Sequence, residues 1–325
     1  MEIIVDKQLY LAGENGYAHN RIPGIIACKN GVMIIYYECR RGFSDWSVSE
    51  IGIRRSTDGG KTWSKEEYIA SGDGKNTVNN PMMVEQDGVI VFVWLENYKR
   101  AFCRISRDNG VHWGGKREIT GAFEEFRSEY PWTTAAAGPG HAVTVGNRIV
   151  IPIWLCSNPA NIFEHHPSIA ATIYSDDRGK TWHRGEIIAP EGIPDPNEGC
   201  MAETPDGVMI NLRHLSDDHH RLFAKSSDGI SGWHDFEFDN ELPDPICAAG
   251  MTYHNGTLYV SNCASTEDRV DLTLSAKKAG EPWSHLWINE LGGYSDVCVN
   301  EKTGTIFVVY ESSGTKELRV CEIAP

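Results

Sequence analysis

Ser56-Thr57-Asp58-Gly59-Gly60-Lys61-Thr62-Trp63 is the stretch on which the fold turns. Its pattern, S-x-D-x-G-x-x-W, recurs at Ser106 to Trp113 and at Ser175 to Trp182. A fourth copy is degenerate: Ser226, Asp228, Gly229 and Trp233 remain, with the glycine one place early. A fifth survives as Ser275, Gly280 and Trp283, without the aspartate. Asp58, Asp108, Asp177 and Asp228 follow one another at intervals of about 50, 69 and 51 residues, and strand-rich units with a period near 50 mark a propeller or a similar array. The chemistry of each box suits a tight turn. Its carboxylate accepts backbone N–H bonds, its glycine tolerates positive φ, and its tryptophan packs over the far side. The same residue in the same repeated turn does the same job each time, so these aspartates read as structural.

Working outward, the flanks read as strands. Ile51-Gly52-Ile53 precedes the first box, and Ala170 to Tyr174 precedes the third. Further apolar, β-branched or aromatic runs are Gly31 to Tyr37, Val89 to Trp94, Arg148 to Trp154, Val208 to Leu212, Thr257 to Val260 and Thr305 to Tyr310. No segment keeps a helical period over several turns, so the chain is all-β. Blades of about 50 residues divide the 325 residues into roughly six. The expectation is a six-bladed β-propeller in which residues 1–325 form one domain. Its ring would close by pairing Glu2 to Val5 with the blade of Phe307 to Tyr310 and Leu318 to Glu322.

Composition is that of a globular protein, with 41% hydrophobic and 23% charged residues. The net charge of -15 sets the molecule against nucleic acid and anionic membranes, so any anionic ligand must meet a local cluster of arginines. The nine cysteines are scattered, odd in number and free of C-x-x-C pairs. Reduced, mostly buried thiols are expected. The N-terminus MEIIVDKQLYLAGENG lacks a basic stretch followed by a long apolar one, and no run of 18 apolar residues occurs. A cytoplasmic location without membrane insertion is the expectation, or a secreted or periplasmic one if a leader preceded this sequence. The chain carries no signal for an oligomeric state.

The boxes together with Arg21-Ile22-Pro23 resemble the sialidase (neuraminidase) superfamily. The resemblance runs from Arg21 to Glu311 and implies a six-bladed propeller with its site at the mouth of the central channel. It implies that three arginines clamp a substrate carboxylate: Arg21, then Arg213 in Met209-Ile210-Asn211-Leu212-Arg213, then Arg269. A planar carboxylate suits planar, bidentate, permanently charged guanidiniums. Glu38-Cys39-Arg40-Arg41-Gly42-Phe43-Ser44-Asp45 resembles the stretch that holds the family's general acid/base. Asp45 is that residue by position, and Arg40 would line the site near the sugar's 4-hydroxyl. Tyr294 in Gly292-Gly293-Tyr294-Ser295-Asp296 matches the nucleophile, and Glu198 in Pro196-Asn197-Glu198-Gly199-Cys200 matches its glutamate partner.

A phenol avoids the repulsion that an attacking carboxylate would meet from the substrate's own carboxylate, and a tyrosine nucleophile is a known departure from two-carboxylate glycosidases. The arginines are expected to favour its phenolate. Glu38 and Glu203 are expected to buffer the arginines. Asn80 and Met82, in Asn79-Asn80-Pro81-Met82, are expected to face substrate. Gly138-Pro139-Gly140-His141 and Leu242-Pro243-Asp244-Pro245 read as turns opening the third and fifth blades. Asp217-Asp218-His219-His220 and His165-His166 lack metal-ligand spacing and read as solvated loops.

No cofactor is implied. The resemblance points to a retaining exo-α-sialidase acting on sialylated glycans or sialic acid derivatives. Alternatives on the same machinery are a trans-sialidase, an intramolecular trans-sialidase or a Kdn- or Kdo-type glycosidase. A silent, lectin-like propeller would be expected to lose Tyr294, Glu198 or Asp45, and all three are present.

Overall fold

The computed structural model describes residues 1–325 as twenty-five strands in six antiparallel sheets, with one short α-helix at Thr120–Glu124 and a 3-10 turn at Glu14–Gly16. Blade 1 runs outward from His19–Ala27 through Met33–Arg40 and Ser49–Ser56 to Glu67–Ser71. The inner strands of blades 2, 4 and 5 are Val78–Gln86, Gly199–Thr204 and Gly250–His254. Blade 3 opens on Thr134–Ala137 and carries a fifth strand, Val143–Val145. Blade 6 holds Ser295–Val299, Ile306–Ser312 and Glu317–Ala324, and takes Glu2–Leu11 as its outermost strand. The closure expected from sequence is therefore present, with Glu2 opposite Ala324 and a longer first strand than anticipated. Inner strands of neighbouring blades touch in order around the ring, and the last touches the first.

The apolar core is six wedges, one between each pair of adjacent blades. This explains why second strands such as Val89–Glu96 are apolar nearly throughout: both faces are covered, so there is no polar face to alternate with. All nine cysteines are buried in this interior, and none is paired in a disulfide.

The boxes are turns between third and fourth strands. In the first, the Gly60 N–H donates to Ser56 Oγ at 2.8 Å and the Thr62 N–H donates to Asp58 Oδ1 at 2.9 Å. The same pair of bonds recurs with Gly110 and His112, and with Gly179 and Thr181. The degenerate fourth turn keeps it one residue shorter, through Gly229 and Ser231. These glycines also press on the preceding blade. A Cβ on Gly60, at φ 97°, would lie 2.4 Å from the Phe307 ring of blade 6, and one on Gly110 would lie 2.7 Å from Ile34 of blade 1. The fifth copy is no box: Ser275 Oγ bonds to His285 Nδ1, while Trp283 keeps its place by donating Nε1–H to Asp239 Oδ2 at 2.8 Å.

At the centre, Asp296 of blade 6 is fully buried and binds its neighbours across the channel. Its Oδ2 accepts the Ile25 N–H of blade 1 at 2.9 Å, and His141 Nδ1, from the turn in blade 3, lies 2.9 Å from Oδ1. Gly250 of blade 5 approaches until a Cβ there would be 2.5 Å from Asp296 Cα. Burial lowers the His141 pKa, but the charge and hydrogen bond of Asp296 outweigh it and raise it above 6.5. A raised folded value means that this pair stabilises the fold fully below the unfolded value and lets go as pH rises through the folded one. The thermal midpoint should therefore fall as pH climbs above about 6.5, and Asp296→Asn should flatten that slope when unfolding is followed across the same pH series.

Candidate active site

One rim of the ring gathers the residues that the sequence singled out. Arg21, Arg40, Asp45, Asn80, Glu198, Arg213, Arg269 and Tyr294 all line a single cleft. They converge because each stands at or just beyond a strand end on that side of its blade, so the sheets aim them inward without help from helices.

The tyrosine sits at the centre. Tyr294 OH donates to Glu198 at 2.7 and 2.8 Å from its two oxygens, and accepts from Arg213 Nη1 at 2.8 Å. Arg213 Nη1 also donates to Glu198 Oε2 at 2.5 Å. The guanidinium carbons of Arg21 and Arg269 stand 5.1 and 5.2 Å from the Tyr294 ring centre. Three positive charges flank the phenol, yet its pKa is raised. Burial comes first and the Glu198 charge second, and together they exceed the lowering by Arg213, Arg269 and Arg21. The arginines do pull toward the phenolate, as expected, but in the free protein burial and the Glu198 charge outweigh them.

Asp45 lies on the loop between the second and third strands of blade 1, with its side chain 46% exposed and its Oδ1 2.5 Å from Arg40 Nη1. Burial pushes its pKa up, but Arg40, by charge and hydrogen bond, with Arg21 and His165 behind it, holds it below the ordinary value of 3.8. Behind Arg40, fully buried Glu38 accepts Nε–H at 2.6 Å and the Asn80 N–H at 2.7 Å. Glu38 thus buffers an arginine as expected, from beneath the cleft, and burial raises its own pKa against the pull of Arg40.

Arg21 is held by a residue that the sequence reading missed. Glu311, buried at the end of the apolar strand Ile306–Ser312, accepts Arg21 Nε–H at 2.9 Å and Nη2–H at 3.2 Å. It also accepts the N–H groups of Ile22 and Tyr294, at 2.9 and 3.2 Å. A carboxylate closing a run as apolar as Ile306 to Tyr310 was the available signal. Two expected residues stand elsewhere. Glu203 is five residues beyond Glu198 on an inner strand, roughly 16 Å at 3.3 Å per residue. It is exposed and lines a cavity at the opposite mouth of the channel, where no arginine meets it. Met82 is fully buried in the wedge between blades 2 and 3, 2.8 Å from where a Cβ of Gly138 would be, and does not line the cleft. His165, read as part of a solvated loop, instead forms a wall of the cleft with Tyr98 and Trp154, its ring 4.9 and 5.0 Å from theirs.

The remaining donors have no acid to meet. Arg269 forms no ion pair, Arg213 Nε is buried without a partner, and Arg21 Nη1 reaches Asp45 only at 3.9 Å. Such a cluster is built to receive a planar anion. A family model described as a BNR repeat-like domain matches residues 6–129 and 49–308. The chain belongs to the sialidase, or BNR-repeat, superfamily. A sialidase of Micromonospora viridifaciens is 26% identical over 77% of this chain and 41% of its own length. One from Bacteroides fragilis is 26% identical over 93% of this chain and 61% of its own. This superfamily member thus spans less than two thirds of the length of either relative. The solved structure of a Hadza microbial sialidase superposes with a TM-score of 0.82 at 22% identity, covering 98% of this chain and 68% of the other, a likeness of fold.

Removing the charge opposite Arg21 should be costly. Glu311→Gln should lose about 3–5 kcal/mol in urea unfolding, as when one partner of a buried pair is removed. Glu203→Gln should stay within about 0.5 kcal/mol of the parent.

Proposed function

We propose that this protein is a retaining exo-α-sialidase. The observation that carries the reading is the Tyr294 hydroxyl, held between both oxygens of Glu198 and Arg213 inside a ring of arginines. That arrangement suits a neutral nucleophile for a carbon that already bears a carboxylate.

Arg21, Arg213 and Arg269 would clamp the substrate carboxylate, filling the unpaired donors. Tyr294 O attacks the anomeric carbon while its proton passes to Glu198. The bond to the glycosidic oxygen breaks, and that oxygen takes a proton from Asp45. Asp45, now ionised, removes a proton from water as the water attacks the tyrosyl–sugar bond from the vacated face. Tyr294 leaves, recovers its proton from Glu198, and the sugar departs as the α-anomer. Two inversions give retention.

Incubation with a fluorogenic α-sialoside, with the released sugar followed by NMR, tests the reading. Release of the α-anomer is expected. A 2,7-anhydro sugar would move the protein to the intramolecular trans-sialidases, and no release from any α-sialoside would refute it. Tyr294→Phe should abolish most turnover while a sialic acid analogue still binds, and parental turnover in that variant would remove Tyr294 from the mechanism.

Asp45 makes a leaving-group prediction. Arg40 holds its pKa in the free protein below the ordinary carboxylate value, so the protonated form is scarce and grows scarcer as pH rises. kcat/KM, which reads the free enzyme, should therefore fall toward neutral pH for sialosides with sugar leaving groups. Asp45→Asn should reduce kcat/KM by about 100-fold or more on those substrates, and far less on aryl sialosides, whose leaving group needs no proton.

A further inference from the structure

Two isoleucines beside the cleft have left-handed backbones, Ile22 at φ 55° and Ile246 at φ 60°. A β-branched residue is strained there and must be held by its surroundings. Glu311 holds Ile22 through its N–H. Ile246 lies in the turn from blade 4 into blade 5, and its carbonyl meets Arg269 Nη2 at 3.5 Å, the sole hydrogen bond of that guanidinium.

The turn is gripped one residue further on. The Cys247 N–H donates to Asp244 Oδ1 at 3.1 Å, and the Cys247 carbonyl accepts from Arg221 Nη1 at 2.6 Å. Arg221 Nη1 and Asp244 Oδ1 themselves lie 3.2 Å apart, with side chains 0% and 1% exposed. Arg221 Nε–H donates to Asn211 Oδ1 at 2.6 Å, on the strand Gly207–Leu212 that leads straight into Arg213. The Asp244 N–H donates to the His219 carbonyl at 2.8 Å. None of these groups lines the cleft.

This ion pair is a poor stabiliser. It is fully desolvated, and Arg221 Nη2 and Asp244 Oδ2 have no partners. A buried pair left incompletely bonded contributes little net stability and can cost some. What it does fix is the path of residues 244–247, and with it the strained Ile246 carbonyl that Arg269 meets.

We propose that Arg221 and Asp244 are positioning residues: their buried ion pair locks the 244–247 turn so that the Ile246 carbonyl orients Arg269 toward the substrate carboxylate. The role of Arg269 in this statement rests on the sialidase reading. The geometric part does not.

Asp244→Asn keeps the shape and removes the charge. Its kcat/KM on an α-sialoside should fall about 10- to 100-fold, the scale of a misplaced binding group. The same change in an Arg269→Ala background should add almost nothing, because its effect passes through Arg269. A crystal structure of Asp244→Asn should show Ile246 outside the left-handed region and Arg269 parted from its carbonyl. Losses that add fully in the two backgrounds, or an Ile246 and Arg269 that have not moved, would overturn the proposal. If Asp244→Asn does not fold, Arg221→Lys takes its place with the same two readouts, since lysine keeps the charge but cannot serve Asn211, Cys247 and Asp244 together. If the parent protein cleaves no α-sialoside, the sialidase reading fails by itself, and the positions of Ile246 and Arg269 in the variant structure decide the brace.

Discussion

Four guanidiniums share one cleft, and like charges in a partly dry space repel. The molecule answers each differently. Arg40 leans on Glu38 within its own blade, and Arg21 on Glu311 across the join between blades 6 and 1. Arg213 pairs with Glu198, from the stretch that opens blade 4. Arg269 has a backbone carbonyl and no acid. Where a countercharge comes from another sheet, the pairing exists only when the ring is closed in register. The rim chemistry is therefore a product of the whole circle, and Asp296, tying blades 1, 3 and 6 at the axis, helps set the spacing of the arginines above it.

Of the two groups proposed to give up protons, one rests ready and the other does not. Tyr294 is held protonated by burial and the Glu198 charge, with Glu198 placed to take that proton during attack. Asp45 is ionised under Arg40, although the leaving oxygen needs its proton. A bound carboxylate would add negative charge and exclude water at the same spot. Both changes favour a protonated Asp45, because its ionised form loses solvation and gains a repulsive neighbour. On the proposed mechanism, a bound substrate would thus help bring Asp45 to the protonated state that its step requires.

Much of this was legible in the chain. The box turns, the apolar second strands and the period near 50 residues rest on local chemistry, and local chemistry is what a sequence displays. Arg21, Arg213, Tyr294 and Glu198 could be named because the short motifs that hold them resemble those of the sialidase superfamily. Glu311 was not: a carboxylate closing an apolar strand marks it locally, but its contact with Arg21 spans 290 positions, and nothing nearby names that partner. Glu203 and Met82 lie close in sequence to Glu198 and Asn80, which do line the cleft. A strand carries each successive residue about 3.3 Å further from the rim, so nearness along the chain becomes distance from the site. His165 was misread as a solvated loop because its aromatic contacts with Tyr98 and Trp154 join residues of two blades, and only the assembled ring makes them one wall.

The pairing of Glu2–Leu11 with Glu317–Ala324 has a kinetic side. During synthesis the strand that completes blade 6 emerges before blades 1 to 5, and its partner emerges after them. Blades 1 to 5 can form as hairpins of neighbouring sequence, each by short loop closures. The final seam demands the longest closure in the chain, and until it forms the ring has two open edges and an unpaired strand. Exposed edges of that kind invite pairing with other chains. Completion of the circle is thus the step at which a nascent molecule is most exposed to wrong partners, and the step at which its cleft comes into being.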